Sequence, residues 1–143
     1  MLVDGRGVPL SLVVTGANRH DVSQLESVLD SIVVDRPSPP IRRHKHLCAD
    51  AGYTGAPALA VIEAHGYIPH VKGRGQEASE LKRDPEKQAK RWVVEVAHSW
   101  FNRFRKLLVR YEKLDRSFLA LNHLAASIMA FRKIKLDVNI IYG

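Results

Sequence analysis

Along this chain of 143 residues the spacing of apolar positions changes period several times, and each change marks a new element. Met1-Leu2-Val3 is a short apolar run that meets Asp4-Gly5-Arg6-Gly7 at once, a tetrapeptide suited to a turn. Leu10 to Thr15 supplies a second strand, rich in apolar and β-branched residues. An arm of three residues pairs poorly, so the first arm is expected to continue in a longer parent, with the missing part before Met1. Asp21 or Ser23 can cap a helix that carries Leu25, Val28, Leu29 and Ile32 at helical spacing. Pro37-Ser38-Pro39-Pro40 then makes a stiff loop.

His46 to Ala49 is a short apolar strand that stops at Asp50, and Gly52 forces a turn. Pro57 opens a helix that runs to about His65, with Leu59, Val61 and Ile62 apolar and Gly66 at its end. Tyr67 to Val71 is a further strand. Lys72 to Glu86 holds Gly73, Gly75, Pro85 and charges of both signs, the composition of a surface loop. Two helices follow, a long one from about Pro85 to Leu114 and an apolar one from Phe118 to Lys133. The order strand-strand-helix-strand-helix-strand-helix-helix predicts an α/β fold, a mixed sheet with helices on its faces. Residues 1–133 read as one domain and 134–143 as a C-terminal tail.

Composition narrows the setting. Hydrophobic residues are 45% and charged residues 26% of the chain, a globular balance in a chain long enough to bury a core. No apolar run approaches the roughly 20 residues that a bilayer-spanning helix needs, and the first residues lack a leader's basic-then-apolar layout. No membrane partner is expected. The lone Cys48 leaves no internal disulfide and no four-thiolate zinc site, which suits a reducing cytoplasm. Lys and Arg number 22 against 15 Asp and Glu, a net charge of +7 with His neutral. That excess favours a polyanionic partner, nucleic acid above all.

Two carboxylates are candidates for chemistry. Asp50 stands where a buried strand breaks into a turn, and ligands of α/β sheets gather at the carboxyl ends of strands. The plainer role for such a residue is an Asx-turn or a helix cap. Glu95 lies 45 positions further on, within the long helix. Val93, Ala97, Trp100, Phe104, Leu107, Leu108 and Tyr111 form the apolar face of that helix, and Glu95 falls beside Ser99, Asn102 and Lys106 on its flank. By pattern alone it is an ordinary solvated residue. A pair of divalent ions needs a small cluster of such oxygen ligands.

The segments Leu47-Cys48-Ala49-Asp50-Ala51-Gly52-Tyr53 and Arg91 to Lys113, the latter containing Trp92-Val93-Val94-Glu95, closely resemble bacterial transposases of the insertion-sequence-five family. Leu2 to Leu10 and Asn18-Arg19-His20-Asp21 are similar to that family as well. The resemblance covers the chain to about Lys133. It implies an RNase H-like fold, truncated here at the N-terminus with the first catalytic strand missing, and DDE chemistry in DNA transposition. Asp50 would be the second acid and Glu95 the third. Both would hold Mg2+, or Mn2+, for in-line attack on a phosphodiester. The family commonly has Arg after the catalytic Glu, whereas Val96 stands here, so Arg103 and Lys106 are the phosphate contacts expected instead. The first acid would lie upstream of Met1. Asp4, in the hairpin turn, and Asp21, in a loop opening a helix, are not expected to replace it.

The same resemblance implies DNA as partner, both transposon ends and target, together with an upstream-frame or N-terminal transposase segment and, potentially, a second copy of the chain. The expected DNA surface is Lys82, Arg83, Arg91, Arg103, Arg105, Lys106, Arg110 and Lys113. Such contacts would hold the backbone and read little sequence, in a protein working in the bacterial cytoplasm at the nucleoid. Without the first acid the chain alone is expected to be catalytically inactive, either as the second frame of a split transposase or as a DNA-binding or regulatory remnant. A basic structural protein with no nucleic-acid role is the third reading. His44 and His46 alternate as zinc ligands on a strand sometimes do, but no suitably spaced Cys or His completes that pair. Cys48 is expected to be buried in its strand, and Trp100 to belong to the core while Trp92 could stack on a base.

Overall fold

The computed structural model describes residues 1–34, 44–73 and 92–134. A tight hairpin opens the chain, with β1 (Leu2–Val3) antiparallel to β2 (Pro9–Ser11). The Asp4 carboxylate makes the turn by accepting N–H bonds from Arg6 and Val8 at 2.8 and 2.9 Å. Gly7 takes a φ of +79° that favours glycine, and a Cβ there would lie 3.3 Å from both Lys133 Nζ and Val93 Cγ1. Asp4 is thus a turn former. The strand expected to reach Thr15 ends at Ser11, because an arm of two residues gives it nothing further to pair with.

A 3₁₀ turn (Asp21–Gln24) leads into α1 (Leu25–Asp30), which buries Leu25 and Leu29. Neither expected cap forms. The Ser23 hydroxyl instead donates to His20 O at 2.7 Å, and the 3₁₀ turn takes the place of a capped first turn. The prolines at 37, 39 and 40 lie outside the described residues.

Next comes a βαβ unit: β3 (Lys45–Ala49), α2 (Ala56–Ala64) and β4 (Tyr67–Val71). The two strands are parallel, with Leu47 opposite Pro69 and Cys48 opposite His70. Gly66, at a φ of +75°, ends α2 as expected. Alternation sends Leu47 and Tyr67 inward onto Leu25, Leu29, Ala58 and Ile62. The same alternation sends Cys48 outward, so it is exposed, contrary to expectation.

The expected long helix is broken. It is α3 (described over Trp92–Phe101) and then α4 (Arg105–Leu108), with Phe104 extended between them. Drawn straight to Leu114, the helix would run over 30 Å, away from the core. Breaking it lets Phe104 and Leu107 pack on the cluster formed by Leu12, Ala97, Phe101, Ala125 and Met129. Here tertiary packing overrides local propensity. The last helix, α5 (Asp115–Lys133), supplies Ala125 and Met129 to that cluster.

The result is α/β, but among the described residues not one mixed sheet: β1–β2 and β3–β4 are separate two-stranded sheets there. The hairpin bridges the two cores, since Leu2 packs on the first while Met1 and Val3 pack on the second. Among the described residues no helix is long and apolar enough to cross a membrane.

One ion pair ties α1 to α2. His65 donates from Nε2 to Asp30 Oδ1 at 2.9 Å and from Nδ1 to Val61 O at 2.8 Å. The Asp30 hydrogen bond, then the Val61 carbonyl, raise the His65 pKa above its ordinary value, against a smaller opposing effect of burial. A raised histidine pKa stabilises the fold fully below the unfolded value of about 6.5 and loses that effect as pH rises through the folded value. Asp30→Asn should therefore lower the melting temperature at pH 6 and leave it nearly unchanged at pH 9. Both partners keep contact with solvent, so the loss at pH 6 should be under about 1 kcal/mol. Equal destabilisation at both pH values would refute the linkage.

Candidate functional site

Asp50 follows the last residue of β3 and is the N-cap of a 3₁₀ turn (Ala51–Tyr53). Its Oδ1 accepts the Gly52 N–H at 2.9 Å, and its carbonyl accepts the Tyr53 N–H at 3.1 Å. A Cβ at Gly52 would stand 3.0 Å from that oxygen, so glycine lets the turn close over the carboxylate. The Asx-turn expected as the plainer role is present. It also fixes the carboxylate on an exposed strand tip, and among the described residues no second group bonds it.

Around this tip lies a set of charges that no sequence motif announced. Burial raises the Tyr53 pKa, and the negative charges of Asp21 and Asp50 raise it further. Burial lowers that of the Met1 amine, with Asp21 acting in the opposite direction. Desolvation, followed by the Met1 amine, lowers that of His98, again opposed by Asp21. Asp21 therefore acts on groups of the hairpin, the β3 tip and α3 together. The one sequence signal was its acidity in the segment Asn18-Arg19-His20-Asp21.

Glu95 is exposed on α3, off the face that buries Val93, Ala97 and Phe101, as its spacing predicted. It lies one turn before His98. It is not among the charges that shift His98, Tyr53 or Met1. Among the described residues no three His, Cys, Asp or Glu side chains form a group able to hold a metal ion. Asp50 and Glu95 do share one chemistry: both are exposed and offer only oxygen, the donor that hard cations such as Mg2+ take, one or two carboxylates at a time.

Of the expected DNA contacts, Lys82, Arg83 and Arg91 lie outside the described residues. Arg103, Arg105, Lys106, Arg110 and Lys113 are all exposed, gathered on the broken stretch between α3 and α5. Arg103 stacks its guanidinium 4.3 Å over the Trp100 ring, and Arg132 from the end of α5 approaches the same ring at 6.0 Å. Arg132 was not singled out by sequence; it reaches the Trp100 ring because α5 packs against α3. Arg110 is less free. It lies over Phe118 at 4.9 Å, donates to Glu112 O and pairs with Asp115. Trp100 is half-buried against the second core, as expected, and Trp92 is exposed.

Residues 47–132 match a protein-family model described as a transposase DDE domain. Over 116 residues the chain is 34% identical to a Burkholderia cepacia protein described as a transposase for insertion sequence element IS402. That alignment takes in 79% of this chain and 52% of the relative, so the chain spans about half the relative's length. No solved structure matches the chain.

Proposed function

The chain belongs to the transposase DDE domain family, and from that premise we propose that it is the C-terminal part of an RNase H-like catalytic domain that cuts and joins DNA at insertion-sequence ends. Asp50 and Glu95 are the second and third acids. The reading is carried by Asp50, a carboxylate fixed at the carboxyl tip of a parallel strand, where ligands of open α/β sheets gather. Asp50 and Glu95 would hold Mg2+, or Mn2+ in its place. When bound, the metal supplies Lewis acidity toward the attacking water or 3′-hydroxyl and the leaving oxygen.

The chain's own residues do the rest. Gly52 N–H keeps the Asp50 carboxylate from rotating, and Arg103, Arg105, Lys106, Lys113 and Arg132 hold the phosphate backbone. The first acid and the recognition of transposon ends belong to another transposase segment. Each two-stranded sheet retains edges without a strand neighbour among the described residues, which suits the docking of such a segment by strand addition. Leu108, Leu124 and Phe131 are each exposed, apolar groups that this segment, or a second copy of the chain, would cover. The protein so completed would act at the bacterial nucleoid.

DNA binding by the chain itself tests the basic surface. With about four phosphates neutralised, affinity for a duplex should fall roughly a hundredfold between 50 and 200 mM salt. Replacing Arg103 and Lys106 with Gln should lower the slope of log affinity against log salt by about two. Fluorescence anisotropy at four salt concentrations measures both. A slope unchanged by the double variant would remove these two cations from the interface.

A further inference from the structure

The face of the β3–β4 pair opposite the core carries His46, Cys48, Ile68 and His70, all exposed. His46 and His70 are not level with each other, since His46 faces Ile68 and His70 faces Cys48. The rings reach across the diagonal, bringing His46 Nδ1 within 2.7 Å of His70 Nε2, with ring centroids 4.9 Å apart and planes tilted by 41°. In that contact one ring donates and the other accepts. Both nitrogens therefore aim at a common region between the strands, on a backbone held by five residue pairs in register.

We propose that His46 and His70 form a cross-strand bis-imidazole site for a divalent transition-metal ion of the zinc class. The geometry is close to what chelation needs. With metal–nitrogen bonds of about 2.0–2.1 Å, two imidazoles on one ion have nitrogens about 2.9 Å apart at a right angle and about 3.4 Å apart in a tetrahedron. From 2.7 Å, the rings need to open by about 0.2 Å for a right angle and about 0.7 Å for a tetrahedron. On binding, the ring that donates in this contact passes its proton to water and takes one up on its outward nitrogen, so the ion replaces the shared hydrogen bond with two coordinate bonds and the neutral pair releases no net proton.

Imidazole suits Zn2+, Ni2+ and Cu2+ and is a poor ligand for Mg2+, so this site differs in kind from the oxygen ligands of Asp50 and Glu95. Among the described residues no third His, Cys, Asp or Glu completes the set. Water takes the remaining positions and the affinity is modest. An ion here would cross-link the strand that carries Asp50 to its neighbour.

Calorimetric titration of the untagged full chain with ZnCl2 tests the site, with the melting temperature as a second readout. One equivalent of Zn2+ should bind and raise the melting temperature, while MgCl2 at the same concentration should not reproduce the heat. His46→Ala or His70→Ala should weaken Zn2+ binding at least about tenfold, because loss of a direct ligand should cost no less than loss of an outer support. Both side chains are exposed, so circular dichroism of the unliganded variants should match that of the parent. Zn2+ affinity retained in the double variant would put the ion on other side chains and overturn the proposal. The absence of a Zn2+ heat in the parent chain would overturn it too.

Discussion

In the complete transposase, Asp50→Asn and Glu95→Gln should each reduce Mg2+-dependent nicking of transposon-end DNA by about a thousandfold or more. A metal contributes several kcal/mol of charge stabilisation in the transition state, and each 1.36 kcal/mol is tenfold in rate. The substitutions preserve shape. Asn at position 50 can still accept the Gly52 N–H that Asp50 Oδ1 accepts at 2.9 Å, so the turn survives and only the charge is removed. DNA affinity should therefore hold within about twofold, since the cations of the α3–α5 stretch are untouched. The two losses should not add, because residues that serve one step act as a unit. A chain joined to an N-terminal transposase segment and assayed on a supercoiled end-bearing plasmid measures all three effects. Nicking that persists undiminished in either variant would take that residue out of the mechanism.

What could be read from the sequence was local. The hairpin turn, the β3 strand stopping at Asp50, the crossover helix ended by Gly66 and the last helix each carry a signal within a few residues, and each is present. What could not be read depends on distant neighbours. The break at Phe104 has no Gly or Pro to announce it; it exists because α5 offers Phe104 and Leu107 a surface to cover. Cys48 looked buried because its strand is nearly continuous in apolar residues, yet only one face of that strand meets a core. His46 looked toward His44 along one strand, whereas its partner, His70, comes from the next. The carboxylates divide in the same way. Asp50 was placed by its own turn, but the electrostatic reach of Asp21 to Tyr53 and His98 required the whole fold.

Ile62→Ala should destabilise the protein by about 2–5 kcal/mol, a large part of the roughly 5–15 kcal/mol that holds a typical domain folded. Ile62 is 0% exposed and sits at the centre of the first core, on the helix that connects β3 to β4. Its truncation leaves a cavity between α1, α2 and the parallel pair, which these short elements can close only by moving. Ile62→Val should cost only about 0.5–1.5 kcal/mol. Phe131, 61% exposed on α5, should tolerate Ala within about 0.5 kcal/mol. Urea unfolding separates these outcomes: the Ile62→Ala midpoint should drop with an unchanged slope, the mark of lost stability in the same native state. An Ile62→Ala cost below about 1 kcal/mol would mean that α2 is not what seats the strand ending at Asp50. The carboxylate at that tip would then have no rigid seat.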